Sequence, residues 1–274
     1  MPSGLISRRD RAAVLRSGTG TPTPTEEGAP MGEETLAPME EPRPTPRVEE
    51  YLEAIYNMLS EGMTVIAARL AARLDLTPPT VAATLQRMSR DGLIVLNDRK
   101  EIGLTPKGQE LAEKIIRRHR LTERFLVDVL GLDWVTAHEE ATHIEHGITP
   151  RLEERLAAVL GYPKTCPHGN PIPGMGWQPA PGEFRLDKAT EGQEIVVERI
   201  TEEAEWDPRL LEYLQQHGVI PGARFTVVQV APYAGTLTLR TPEGREVTVG
   251  LKAAARICVY PAGSTSPAEP GASS

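Results

Sequence analysis

The sequence predicts a mainly α-helical protein with small β elements gathered towards its C-terminal end. Three observations carry this reading. Between Arg47 and Leu160, apolar residues recur three and four apart, the spacing of helices with one buried face. From about residue 185 to 262 the period falls to two, in EIVVERI, ARFTVVQVA, TLTLRT, REVTVGL and ARICVYP. Between these regimes lies CPHGNPIPGMGWQPAPG, rich in proline and glycine.

The elements follow in chain order. Residues 1–46 hold eight prolines and no hydrophobic periodicity, so they are predicted to be a disordered extension. Residues 47–108 open with VEEYLEAIYNMLSEG. Its Val48, Tyr51, Leu52, Ile55, Met58 and Leu59 form one helical stripe that stops at Gly62. VIAARLAARL is a second helix. In LDLTPPT, Thr77 is the expected N-cap, with Pro78 and Pro79 at the first helical positions, where a missing N–H costs nothing. The helix to Arg90 turns Val81, Leu85 and Met88 inward and leaves Thr77, Thr80, Ala83, Thr84 and Arg87 outward. LIVLNDRKEIGLTP then reads as a hairpin with Arg99 and Lys100 at its tip. Residues 109–165 continue helical, from Lys107 to about Gly131 and again across Trp134 to Leu160. Residues 166–184 read as a linker, 185–262 as an all-β module with one helical insertion, PRLLEYLQQHG, and 263–274 as a tail.

Composition narrows the function. The net charge of −8 excludes a uniformly basic nucleic-acid coat protein. Yet residues 64–107 carry seven basic and four acidic side chains, a local net of +3. Helix, turn, helix and basic hairpin form a DNA reader: the second helix enters the major groove and the hairpin reaches phosphates. Double-stranded DNA is therefore the predicted partner, through Thr77, Pro79, Thr80, Ala83, Thr84, Arg87, Arg99 and Lys100. A near-palindromic site requires a two-fold homodimer, and the stripe Val135, Ile144, Ile148, Leu152, Leu156 and Leu160 is the expected interface. With Cys166 and Cys258 as the only cysteines, a disulfide scaffold is excluded and a reducing compartment expected. No apolar run reaches the ~20 residues of a membrane helix. Arg8, Arg9 and Arg11 precede no hydrophobic segment, so no secretory signal is read. The expectation is a soluble, cytoplasmic protein.

A second constellation concerns metal-ligand residue types. Four of the six histidines (His119, His138, His143 and His146) fall within 28 residues. His119 and Glu123 are four apart, hence on one helix face. His138, Thr142, Glu145 and His146 also share a face, whereas His143 points elsewhere. Glu49, Glu50 and Glu53 begin the first helix, where further oxygen ligands could approach. The same spacings suit a solvated charged face, so pattern alone leaves both readings open. HEEATH has one residue too many for a zinc-protease helix, which argues against an enzyme. Cys166-Pro-His168 offers only two donors and reads as structural linker.

Several stretches, in order, carry a resemblance: EEYLEAIY, LTPPTVAATLQRMSRDGLI, LTPKGQ, RRHRLTERFL, HxxxTxxEH and HGNPIPG. Together they make Arg47–Tyr260 similar to the DtxR/MntR family of metal-dependent transcriptional repressors. The resemblance implies a winged helix-turn-helix, a helical dimerisation domain and a C-terminal SH3-like (FeoA-like) β-barrel. It implies a primary metal site of Glu50, Glu145 and His146, with Glu53 and His119 nearby, and an ancillary site of His119, Glu123 and His138. The barrel would add a ligand best matched by Asp207 or Glu205. Thr142 stands where the family has cysteine or glutamate, Ala83 where glutamine is common, and Leu210 where a glutamine ligand is expected. A set without sulfur favours Mn²⁺, with Fe²⁺ as the alternative. Such a cation would join the first helix to the dimerisation domain and set two recognition helices one DNA turn, ~34 Å, apart. The expected function is repression of metal-homeostasis genes. A winged-helix regulator of a non-metal signal is the alternative.

Overall fold

The computed structural model describes residues 44–264. The extension read over 1–46 and the tail over 263–274 therefore lie outside the described residues, apart from 44–46 and 263–264. Residues 45 and 46 depart from that reading: Thr45 is the N-cap and Pro46 the first residue of α1 (Pro46–Ser60). This helix buries Tyr51, Leu52, Ile55 and Met58 as the stripe predicts, while Leu59 is exposed. Gly62, at φ +72°, turns the chain out of it.

Next come α2 (Ala67–Arg73), α3 (Pro78–Arg90) and an antiparallel hairpin of β1 (Ile94–Leu96) and β2 (Ile102–Leu104). Leu70, Val81, Leu85, Met88, Ile94 and Ile102 close one core with the stripe of α1. α4 (Pro106–Asp128) is the spine of the molecule, packed against α1, α5 and α6. Its start is fixed on the hairpin, because a side chain at Gly108 would place Cβ 1.9 Å from the Leu93 carbonyl oxygen. The helical stretch read across Trp134–Leu160 consists of α5 (Trp134–Ile144) and α6 (Pro150–Val159), with a 3₁₀ turn, Glu145–Gly147, after α5. Pro150 disfavours helical backbone at Thr149, whose hydroxyl instead accepts from the Leu152 amide and starts α6.

The segment expected as a linker is packed. It contains no long element, yet Cys166, His168, Asn170 and Ile172 are all buried. Gly169, at φ +89°, lets it lie against the next strand but one, where an added Cβ would meet the Glu198 carbonyl oxygen at 2.4 Å.

The C-terminal module consists of β3 (Phe184–Arg185), β4 (Glu194–Ile200), α7 (Glu202–Glu205), α8 (Pro208–Gln216), β5 (Arg224–Ala231), β6 (Thr236–Arg240), β7 (Glu246–Gly250), α9 (Leu251–Ala254) and β8 (Ile257–Pro261). The strands form one antiparallel sheet in the order β3-β8-β4-β5-β6-β7, with irregularities at Val197/Arg199 and Val227/Gln229. β3 and β7 remain as edges, so the SH3-like module is an open sheet and not a hydrogen-bonded ring. Its core takes in Trp134 and Val135 from α5. Val135 therefore leaves the stripe assigned to a dimer interface, as does Ile148, which is buried. Of the rest of that stripe, Ile144 and Leu152 face solvent while Leu156 and Leu160 are half-buried; Val159, outside the stripe, is exposed as well.

Ion pairs tie this module to the N-terminal domain. Glu61, which caps α1, accepts from Arg199 Nη1 at 2.7 Å and from Arg185 Nη2 at 2.6 Å. Among the described residues, no helix is long and apolar enough to cross a membrane.

Candidate metal centre and nucleic-acid interface

α4 carries His119 and Glu123 one turn apart, both buried, between two groups of ligand-type side chains. On one side, His119 Nδ1 donates to Glu145 Oε2 at 2.6 Å. Glu53 of α1 brings a third donor there, and one atom from each of the three lies within 4.8 Å of the others. His146 Nδ1 donates to Glu49 Oε2 at 2.6 Å, with its Nε2 3.6 Å from Glu145 Oε1. On the other side, His119 Nε2 lies 3.1 Å from Glu123 Oε1. That same oxygen accepts from His138 Nδ1 at 2.8 Å and lies 3.8 Å from His168 Nδ1. His168 Nδ1 also meets Glu205 Oε1 at 3.0 Å, and Cys166 Sγ is 3.9 Å from His168 Nδ1. Glu123, Cys166 and His168 make a further set within 4.8 Å.

Five residues named from the sequence lie outside or differently. Glu50 turns out to solvent and pairs with Arg47 Nη1 at 2.6 Å; Glu49, one step round the helix, faces inward instead. Thr142 is exposed and its hydroxyl donates to the His138 carbonyl, because the α-helix ends two residues later and the 3₁₀ turn swings Glu145 inward without it. Asp207 is exposed and accepts from the Leu210 amide as the N-cap of α8, whereas Glu205 and Glu202 are buried. Cys166 and His168, read as linker residues, stand beside Glu123 and Glu205.

Burial dominates the electrostatics. Desolvation and then the Glu145 carboxylate push Glu53 up to about 7. Burial alone would lower His119, but Glu123 and Glu145 outweigh it and hold the ring well above the ordinary imidazole range. Burial raises the Cys166 thiol, with Glu123 acting in the same direction. Within these clusters, three buried side-chain atoms have no hydrogen-bond partner: Glu123 Oε2, Glu145 Oε1 and His168 Nε2. Orphaned polar atoms at this depth are costly. Carboxylates, imidazoles and one thiol are the ligands of divalent first-row cations, so the residues present fit a metal.

In the N-terminal domain, Thr77 and Thr80 join hydroxyls at 2.8 Å at the start of α3, followed on its exposed side by Pro79, Ala83 and Arg87. Thr84 is buried against the core, correcting its outward assignment: it lies three residues after Val81 and one before Leu85, within the buried stripe. Asn97 shapes the hairpin tip by accepting from the amides of Arg99 at 3.0 Å and Glu101 at 2.9 Å. Lys100 takes up φ +60° there. Arg99 and Lys100 line a cavity of about 690 Å³ between hairpin and α3, together with Arg90, a cation that the sequence pattern did not single out.

Known proteins match these parts in the same order. Residues 44–102 match the iron dependent repressor N-terminal DNA binding domain, 105–174 the iron dependent repressor metal binding and dimerisation domain, and 184–261 the FeoA domain. The iron-dependent repressor IdeR of Mycobacterium tuberculosis is 42% identical over 211 residues, which are 73% of this chain and 91% of that protein. The chain belongs to the DtxR/MntR family.

Solved structures of similar proteins agree with this membership. A manganese-dependent transcriptional repressor in complex with manganese superimposes with a TM-score of 0.69 at 32% identity, covering 78% of this chain and 99% of that one. ScaR with bound Zn²⁺ gives 0.65 at 28% identity, covering 78% and 99%. The DtxR/MntR family is one of iron- or manganese-dependent transcriptional repressors. Within this chain the α4 imidazole His119 touches both ligand groups, and Glu53 reaches it from the part matched as the DNA binding domain.

Proposed function

We propose that this chain is a dimeric, metal-activated repressor that binds near-palindromic operators of metal-homeostasis genes. The observation that carries the reading is the pair of buried donor clusters on either side of His119. They draw on α1, α4, α5, the connector and α7, so a bound cation would tie the DNA-binding domain to the rest. Glu53, His119 and Glu145, with Glu49 and His146, would hold one cation. Glu123, Cys166, His168 and Glu205, beside His138, would hold the other. The cation supplies positive charge that lets clustered carboxylates stay ionised together. Glu49 and Glu53 then orient α1, and with it α3, relative to a partner copy. The exposed Ile144, Leu152 and Val159 support a dimer face in the helical domain.

Mn²⁺ suits the first cluster, which is all oxygen and nitrogen; Cys166 in the second makes Fe²⁺ the alternative there. The test is a DNA-binding titration under anaerobic conditions with Mn²⁺ and Fe²⁺ in turn, on promoter fragments selected from genomic DNA. Metal-independent binding would defeat the proposal.

Two predictions arise here. Glu49→Ala should weaken metal affinity at least about tenfold, whereas Glu50→Ala should leave it close to wild type, read by competition with a metal indicator. If Glu50→Ala has the larger effect, the inward face of α1 has been misassigned. Replacing Arg90, Arg99 or Lys100 with Ala should weaken binding to all duplexes and reduce the salt slope by ~0.9 for each phosphate that is no longer neutralised. An unchanged slope in all three would remove them from the interface.

A further inference from the structure

Trp206 follows Glu205 directly in the chain and lies over Arg73, whose Cζ is 4.5 Å from the ring centroid. Arg73 ends α2, the helix that supports α3, and Trp206 packs against the core of that domain. The Nε of Arg73 is buried without a hydrogen-bond partner. Burial disfavours its charge, and Glu53, Glu202 and Glu205, carboxylates around both clusters, act against that penalty. Glu202 is itself held from the other side, accepting from Arg120 Nη2.

We propose that Trp206 is a positioning residue that transmits metal binding at Glu205 to α2 through Arg73. The inference rests on the metal-activated reading above. Without metal, Arg73 is attracted both by the three carboxylates and by the ring. A cation among those carboxylates cancels their pull and leaves like charge facing the guanidinium. The face of an aromatic ring is a quadrupole that no metal neutralises, so it is the partner Arg73 keeps. α7 is a single turn ending at Glu205, which leaves one peptide bond between a fixed carboxylate and the ring. The Glu61 ion pairs, by contrast, grip the end of α1 and do not reach α2.

The experiment uses the full chain, wild type and Trp206→Leu, with hydrogen exchange measured with and without Mn²⁺. Mn²⁺ affinity is followed by indicator competition and duplex binding by anisotropy. In wild type, Mn²⁺ should slow exchange both around residues 119–123 and 202–205 and across 67–73. In Trp206→Leu, the first protection should remain and Mn²⁺ affinity stay within about twofold, while protection of 67–73 disappears. The metal-induced gain in DNA affinity should fall about tenfold, and Trp206→Phe, which keeps a π face, should restore most of it. If Trp206→Leu melts early, Arg73→Gln breaks the same pairing from the other side and is read by the same criteria. Retained protection of 67–73 and an undiminished DNA response would overturn the proposal while leaving metal activation standing. Absence of any Mn²⁺ protection in wild type would overturn metal activation, and this proposal with it.

Discussion

Replacing His119 with alanine is expected to abolish metal control of DNA binding. The ring is buried and bonded on both sides, to Glu145 through Nδ1 and beside Glu123 through Nε2, and no other imidazole reaches both clusters. Loss of groups that only orient metal ligands already costs ~10–100-fold in affinity. Losing a donor common to two clusters should therefore cost at least ~100-fold, measured by indicator competition. His143→Ala is the matched control: its ring is exposed, with Nδ1 2.6 Å from the Glu139 carbonyl oxygen, and its removal should leave the metal response unchanged. A near-UV circular dichroism spectrum like that of wild type separates a lost ligand from a lost fold. Equal metal responses in the two variants would sink the assignment.

The second large effect lies away from the metal. Glu61→Ala should destabilise the protein by about 2–3 kcal/mol, because two guanidinium groups lose a buried acceptor. For a chain of this size that lowers the melting temperature by roughly 5–10 °C. The pH dependence has a definite sign. Burial alone would raise the Glu61 carboxyl, but Arg199, with Arg185, outweighs it and holds the group below the usual carboxylate range. The unfolded chain therefore binds this proton more readily than the folded one. The contribution is fully present above about pH 4.3, the ordinary glutamate value, and fades as pH falls through the folded one. The difference in melting temperature between wild type and Glu61→Gln should accordingly shrink on acidification below about pH 4. A difference constant down to the lowest pH would show that the ion pairs contribute nothing.

Periodicity made most of the architecture legible, since the shift from helical to alternating spacing follows from which faces are buried. The apolar rhythm of Trp134–Leu160 runs on across Gly147 and Pro150, where the backbone breaks, so periodicity did not place the boundary between its helices. The misread residues had separate causes. Glu49 and Glu50 stand four and three residues before Glu53, so helix phase alone does not rank them. Glu49 is drawn inward by Arg118 and His146, partners that only the tertiary packing brings to it. Asp207 precedes Pro208, the signature of an N-cap and not of a ligand. Cys166 and His168 left no such trace. Their partners Glu123 and Glu205 lie some forty residues away on either side, and only the packing of the connector against β4 brings the four together.

The two-sided placement of His119 carries an arithmetic of its own. A neutral imidazole owns one lone pair and one N–H, so it can ligate through one nitrogen while the other must donate. Nδ1 faces the Glu145 side and Nε2 the Glu123 side. Whichever cluster first takes the lone pair thereby chooses the tautomer, and leaves its neighbour a proton donor where a ligand would otherwise stand. The two positions are therefore unequal by construction: the order of filling decides which is the complete site and which must manage with one nitrogen fewer.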